Sequence, residues 1–250
     1  MAVSKAKVVL LDIEGTVCSK AFVKDVLPSD SFPYALKVLP DTLRSEWDTP
    51  EFALYRHAFP PQYSRSPAAL ESHVRDLMSQ DVKISYLKGL QGFLWEEGYR
   101  SGRIKAPLYP DVAPRLAAWK HDDGREIMIY SSGSVAAQKL LFRHTDADPA
   151  DLTSLLSDYF DTINAGPKTQ RSSYEKIAAQ YPQYLPSDWL FLSDNEKEVE
   201  AAKQAGMASY IVERPGNAEL SAEALMPHIN TTHSVLRNKL SQGAHVETII

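Results

Sequence analysis

Five short β-rich runs constrain this chain more than any other feature: residues 7–11, 126–130, 159–164, 189–193 and 208–212. Most end in polar or small residues, and from the second onward segments with helical spacing lie between them. Residues 112–120 carry Val112, Leu116 and Trp119 at i, i+4 and i+7 behind Asp111, a candidate helix cap. Residues 134–142, 172–180 and 196–205 follow the next three strands, and Gly206 stands where a glycine would end the last helix. Strands alternating with helices of about ten residues predict βαβ units and an α/β fold on a parallel sheet. In such sheets a ligand site lies at the carboxyl ends of the strands.

The first run stands apart. About 100 residues separate it from the second, too many for one crossover. Residues 25–67 contain Pro28, Pro33, Pro40, Pro50, Pro60, Pro61 and Pro67, a density that predicts short helices with sharp turns. From 69 to 98 the spacing becomes helical, through Leu70, Val74, Leu77 and Met78, then Tyr86, Leu87, Leu90, Phe93 and Leu94. Residues 20–108 are therefore expected to form a mainly helical insert over the strand ends, leaving 1–19 and 109–250 as the α/β core domain. The tail beyond Asn217 is helix-compatible at first and then uninformative.

Composition narrows the functions open to the chain. With 27 Lys+Arg against 32 Asp+Glu the net charge is −5, and no basic cluster supplies a nucleic-acid footprint. The longest apolar runs are strand-sized, too short for a signal peptide or a membrane span. A soluble, cytoplasmic protein is expected, with passive entry into the nucleus left open. Cys18 is the single cysteine, so no intramolecular disulfide forms; with no base evident nearby it reads as structural. The seven histidines include no close His/His or His/Cys pair, which argues against a zinc enzyme.

Four polar sites end the first four strands. Val8-Val9-Leu10-Leu11 delivers Asp12 and Glu14 at i and i+2, on one side if the strand continues, before a Gly15-Thr16 turn. Two such acids can divide into an ionised nucleophile or metal ligand and an acid–base group, or can simply be solvated at a strand end. The second strand empties into Ser131-Ser132-Gly133-Ser134, an anion cradle at a helix start or a plain serine cap. Lys168 follows the third strand in Asn164-Ala165-Gly166-Pro167-Lys168-Thr169, where Pro167 breaks the P-loop pattern. Asp194 ends the fourth with Glu198 one helical turn later, a spacing suited to an oxygen-bound cation such as Mg²⁺; helix capping by Asp194 is the alternative. On one parallel sheet these sites converge on one rim. A carboxylate nucleophile, a hydroxyl and an ammonium for phosphoryl oxygens, and a distal carboxylate for Mg²⁺ are the parts of a phosphotransfer site.

In type, order and spacing these four motifs resemble those of the haloacid dehalogenase-like hydrolases, whose core is Rossmann-like with an inserted cap. Within that superfamily the sequence most resembles the enolase-phosphatases (acireductone synthases) of methionine salvage. Asp12-Ile13-Glu14-Gly15-Thr16 has that family's Glu where most members of the superfamily carry Asp. The segments Ser31-Phe32-Pro33-Tyr34-Ala35, Gln91-Gly92-Phe93-Leu94-Trp95-Glu96-Glu97-Gly98-Tyr99 and Tyr130-Ser131-Ser132-Gly133-Ser134 match it too. The resemblance spans residues 6–215. It implies Asp12 as nucleophile and Mg²⁺ ligand, Glu14 as general acid/base also placed at the metal, Ser131, Ser132 and Lys168 as substrate-phosphate ligands, and Asp194 completing a site for one Mg²⁺. It further implies a monomer acting on a small phosphorylated diketone, 2,3-diketo-5-methylthiopentyl-1-phosphate. That substrate would be enolised and then dephosphorylated to the acireductone 1,2-dihydroxy-5-(methylthio)pent-1-en-3-one.

Overall fold

The strand β1, Val8–Leu11, lies inside the sheet with every residue buried. The computed structural model describes residues 5–22, 33–80, 82, 84–102, 104–219 and 235–237. Among these, β2 (Glu126–Tyr130), β3 (Asp158–Phe160), β4 (Trp189–Ser193), β5 (Ala208–Glu213) and β6 (Val235–Arg237) join β1. Helices α1 (Pro33–Glu46), α2 (Pro50–His57), α3 (Pro67–Ser79) and α4 (Ser85–Arg100) fill the long interval after β1. Helices α5 (Val112–His121), α6 (Val135–Arg143), α7 (Arg171–Ala179) and α8 (Glu196–Gln204) alternate with the later strands.

The sheet order is β3-β2-β1-β4-β5-β6 and every pairing is parallel, the Rossmann-like arrangement expected from the sequence. Register puts Leu10 opposite Met128 on one side and Phe191 on the other. Side chains alternate along a strand, so these share a face. Val8, Tyr130, Phe160 and Trp189 extend that face, against Tyr174 and Ile177 of α7 and Ala201 and Ala202 of α8. Val9, Leu11, Ile127 and Ile129 have the other parity and are buried as well. Coverage on both faces is why these strands read as unbroken apolar runs.

Three local expectations change. β3 stops at Phe160, short of residue 164, because Asp161 closes a turn: its Oδ1 accepts from the N–H of Ile163 and of Asn164, both at 2.9 Å. Asp111 precedes α5 without a side-chain cap bond; its carboxylate is instead gripped by Arg214, at 2.7 and 2.9 Å. The tail supplies β6, parallel to β5, where no strand was anticipated; the helix-compatible stretch before it lies outside the described residues from 220 onward.

By contact density the chain divides into Ala21–Lys105 and a unit joining the residues up to Lys20 with those from Ala106. Within Ala21–Lys105, Pro50 and Pro67 open α2 and α3. Thr49 and Ser66 cap these helices, accepting from Phe52 N at 3.2 Å and Ala69 N at 3.3 Å. Proline density does not keep every helix short, since α1 runs 14 residues straight through Pro40. An interior proline costs about 3 kcal/mol, whereas each large aliphatic side chain fully buried contributes roughly 1.5–3 kcal/mol. Leu39 and Leu43 together outweigh that cost, packing with Phe52, Leu70, Val74, Leu87, Leu90 and Leu94. Ser31 and Phe32 of the first insert motif lie outside the described residues.

Candidate active site

All strands point the same way, so residues following β1, β2, β3 and β4 emerge at one rim. Asp12 comes two positions after Leu10 and continues toward the face that α7 and α8 cover. Its backbone N–H donates to Leu192 O of β4 at 3.0 Å. Its side chain meets Lys168, whose Nζ lies 2.5 Å from Asp12 Oδ1. Thr16 donates its hydroxyl to Asp12 Oδ2 at 3.2 Å and accepts from Asp194 N at 3.1 Å, tying β1 to β4.

Lys168 is held by the loop after β3. Tyr130 OH donates to Gly166 O and Tyr174 OH to Lys168 O, each at 2.7 Å, while Ser173 Oγ donates to Pro167 O at 2.8 Å. Gly166 has φ 114°, and a Cβ there would meet Ser173 Oγ at 2.7 Å. With that loop pinned, the Lys168 ammonium reaches Glu198 Oε2 at 2.7 Å as well as Asp12. Burial opposes its charge, but Asp12 and Glu198 outweigh burial and push its pKa up, so the ammonium is retained.

Glu198 therefore corrects a sequence expectation. Its spacing from Asp194 suggested a cation, yet α8 turns it toward Lys168, where Ser193 Oγ also donates to it at 2.8 Å. The α8 cap is Asn195, whose side chain accepts from Lys197 N, so Asp194 is not spent on capping.

Glu14 does not sit on a continued strand. The N–H groups of Thr16, Val17 and Cys18 all turn back to Ile13 O, and that turn sets its direction. Its charge still feels its neighbours: burial raises its pKa first, Asp12 and Asp194 raise it further, and Lys168 and Lys20 oppose them. Asp194 is raised chiefly by burial, with Asp12 adding and its partner Lys20 opposing. Cys18 is buried and its thiol is pushed up by burial and the carboxylates of Glu14 and Asp12, which keeps it protonated and inert.

Ser131 and Ser132 follow β2. Ser131 is buried, its N–H bonded to Phe160 O at 3.1 Å and its Oγ accepting from Gly133 N at 3.3 Å; Ser132 is exposed. The α6 cap is Ser134, accepting from Ala137 N, which frees the two earlier serines from that role. Gln138 fixes the turn from inside, donating to Gly133 O at 2.7 Å and Phe160 O at 2.8 Å.

The donor set suits a hard divalent cation. With Glu198 committed to Lys168, the carboxyl groups of Asp12, Glu14 and Asp194 remain as oxygen donors, with Asp12 close enough to raise the pKa of the other two. Gly15, at φ 74°, leaves bare space beside Asp194: a Cβ there would lie 2.4 Å from Asp194 Oδ2 and 2.8 Å from Asn217 Oδ1. Asp194 Oδ2 is held by Lys20, and Asn217 Oδ1 is buried without a hydrogen bond. Among the described residues no three His, Cys, Asp or Glu side chains form a ready-made cage. Mg²⁺ needs none, being bound through one or two carboxylates with water and substrate phosphate.

Sequence reasoning passed over Thr16, Ser193, Arg214 and Asn217. Arg214 donates Nε to Thr16 O at 3.1 Å and lies 4.4 Å from the ring centroid of Tyr109. Asn217 Nδ2 donates to Gly15 O at 2.9 Å. The Arg214-Pro215-Gly216-Asn217 turn after β5 was the signal that could have marked them.

Sheet order, rim and charge set define a class. A family model described as haloacid dehalogenase-like hydrolase matches residues 6–206. The chain is 65% identical over 222 residues to Enolase-phosphatase E1 of Sordaria macrospora, covering 89% of this chain and 93% of that protein. It is equally 65% identical to Enolase-phosphatase E1 of Neurospora crassa, with the same coverage of both chains. The crystal structure of the UTR4 protein (unknown transcript 4 protein) of Saccharomyces cerevisiae superposes with TM-score 0.73 at 39% identity, over 86% of this chain and 94% of that one. The chain is thus a haloacid dehalogenase-like hydrolase. Within that class it belongs to the Enolase-phosphatase E1 family.

Proposed function

We propose that this chain is a Mg²⁺-dependent enolase-phosphatase of methionine salvage. It enolises 2,3-diketo-5-methylthiopentyl-1-phosphate and removes the phosphate, releasing 1,2-dihydroxy-5-(methylthio)pent-1-en-3-one. The observation that carries this reading is the Lys168 ammonium 2.5 Å from Asp12 Oδ1, beside a glutamate whose pKa is raised. Asp12, Glu14 and Asp194 would hold one Mg²⁺, which when bound supplies Lewis-acid polarisation of carbonyl and phosphoryl oxygens.

Asp12 attacks phosphorus and the P–O bond to the enol oxygen breaks, giving an aspartyl-phosphate. Lys168 balances charge on the phosphoryl oxygens, and Ser131 and Ser132 orient them. Glu14, whose carboxyl is made easier to protonate by burial and its acidic neighbours, gives its proton to the leaving enol oxygen. As a carboxylate it then takes a proton from the water that hydrolyses the aspartyl-phosphate. Glutamate reaches one methylene further than aspartate, which supports its serving proton transfer in enolisation as well. All these groups come from one chain, which supports action as a monomer. Among the described residues no helix is long and apolar enough to cross a membrane.

The test is one assay of the purified protein with a 2,3-diketo-1-phosphoalkane and Mg²⁺, following enol absorbance and free phosphate together. Both signals should appear, both should vanish without Mg²⁺, and Asp12→Asn should lose phosphate release. Phosphate release from unrelated esters with no enol absorbance would make the chain a general small-metabolite phosphatase instead.

A further inference from the structure

The turn after β5 touches the nucleophile turn in a way none of the four motifs accounts for. Asn217 donates through Nδ2 to Gly15 O at 2.9 Å and to Val212 O at 3.4 Å. Two carbonyl acceptors fix which end of the amide is nitrogen, because an amide oxygen in that place would face two other oxygens. The orientation leaves Oδ1 aimed at the bare Cα of Gly15, where a Cβ would stand 2.8 Å from it and 2.4 Å from Asp194 Oδ2. Asp194 Oδ2 is already paired with the Lys20 ammonium, whereas Asn217 Oδ1 is a buried acceptor with no hydrogen bond. A buried acceptor left unpaired costs about 1–3 kcal/mol, so Asn217 Oδ1, beside a carboxylate whose present partner is the half-exposed Lys20, calls for a donor-bearing occupant such as a cation-bound water. Arg214 holds the same turn in place, through Nε to Thr16 O at 3.1 Å and both terminal nitrogens to Asp111.

We propose that Asn217 is a further residue of the divalent-cation site, presenting Oδ1 to the hydration shell of a cation at Asp194 while Nδ2 clamps Gly15. The inference rests on the Mg²⁺-dependent reading above and adds to it an oxygen that the Asp12, Glu14 and Asp194 set lacks. Groups that support metal-bound ligands or waters in this way typically change metal affinity by about 10–100-fold when removed. Asn217 is thereby a positioning residue, acting on phosphorus only through the cation.

The experiment is calorimetric titration of Mg²⁺, with Mn²⁺ as a second probe, into wild-type protein, Asn217→Ala and Asn217→Asp, with phosphate release measured in parallel. Asn217→Ala should bind Mg²⁺ at least tenfold more weakly. Asn217→Asp keeps an oxygen toward Asp194 and loses only the clamp, so it should bind as tightly as wild type or more tightly. If both variants weaken binding equally, the clamp on Gly15 is the whole role and the proposal fails. It fails too if Asn217→Ala binds within twofold of wild type. Should Asn217→Ala not fold, Asn217→Asp against wild type decides alone: weaker binding overturns the proposal. A wild-type protein that binds no Mg²⁺ and releases no phosphate would overturn the functional reading itself, an outcome distinct from a wild type that binds Mg²⁺ regardless of residue 217.

Discussion

The ammonium of Lys168 lies 2.5 Å from Oδ1 of Asp12, across 156 positions of sequence. The same nitrogen is 2.7 Å from Glu198, so one buried cation serves two buried carboxylates. Removing one partner of a buried pair strands the other, which typically costs about 3–5 kcal/mol. The arrangement aims Asp12, and it couples the loop after β3 to α8.

Lys168→Met should accordingly lower unfolding free energy by about 3–5 kcal/mol in urea titrations and abolish phosphate release. The sign of the pH effect follows from the raised pKa of Lys168. Its stabilisation is fully present below the unfolded lysine value of about 10.4 and is lost as pH rises through the higher folded value. Wild type should lose stability above pH ~10 in a way that Lys168→Met does not.

Glu14→Gln should make the metal-free protein more stable at neutral pH. A raised carboxyl pKa means the folded state holds its proton after the unfolded chain has released it, so stability falls as pH climbs through that window. The advantage of the variant should vanish below the ordinary glutamate value of about 4.3. Thermal melts in chelator across pH 3.5–8 would check this, while phosphatase kcat should drop by roughly 10²–10⁴.

Gly15→Ala should injure the site more than the fold. Its φ of 74° alone costs a residue with a Cβ roughly 1–2 kcal/mol. That Cβ would also push into Asp194 Oδ2, so Mg²⁺ titrations should show affinity lost beyond what the stability change explains.

Glu14→Asp tests reach. Shortening the side chain by one methylene retains the charge but retracts the carboxyl, and enol absorbance should fall relative to phosphate release. Unchanged rates for both steps would show that reach is not what glutamate contributes.

Much of this was legible locally. Four of the five expected strands, and the helices after β2, fall within a residue or so of the positions that apolar runs and helical spacing indicate. A strand buried on both faces has to be apolar throughout, and a helix lying on a sheet needs one apolar stripe. Asp12, Glu14, Ser131, Lys168 and Asp194 were legible for a related reason: each follows a strand, and a parallel sheet brings strand ends to one rim. The short end of β3 and the bond made by Asp111 were not legible, since Asp161 and Arg214 act through hydrogen bonds that no periodicity records. Glu198 could be placed on its helix from the sequence, but its partner could not. Which way α8 turns that carboxylate depends on how the helix packs beside Lys168. Arg214 and Asn217 reach Thr16 and Gly15 from 198 and 202 positions away. Side-chain pattern therefore determined the strands, the helices and the rim on which the chemistry gathers. The pairing of charges and the clamp on the Gly15 turn were decided by tertiary packing, because contacts across such separations exist only once the sheet has closed.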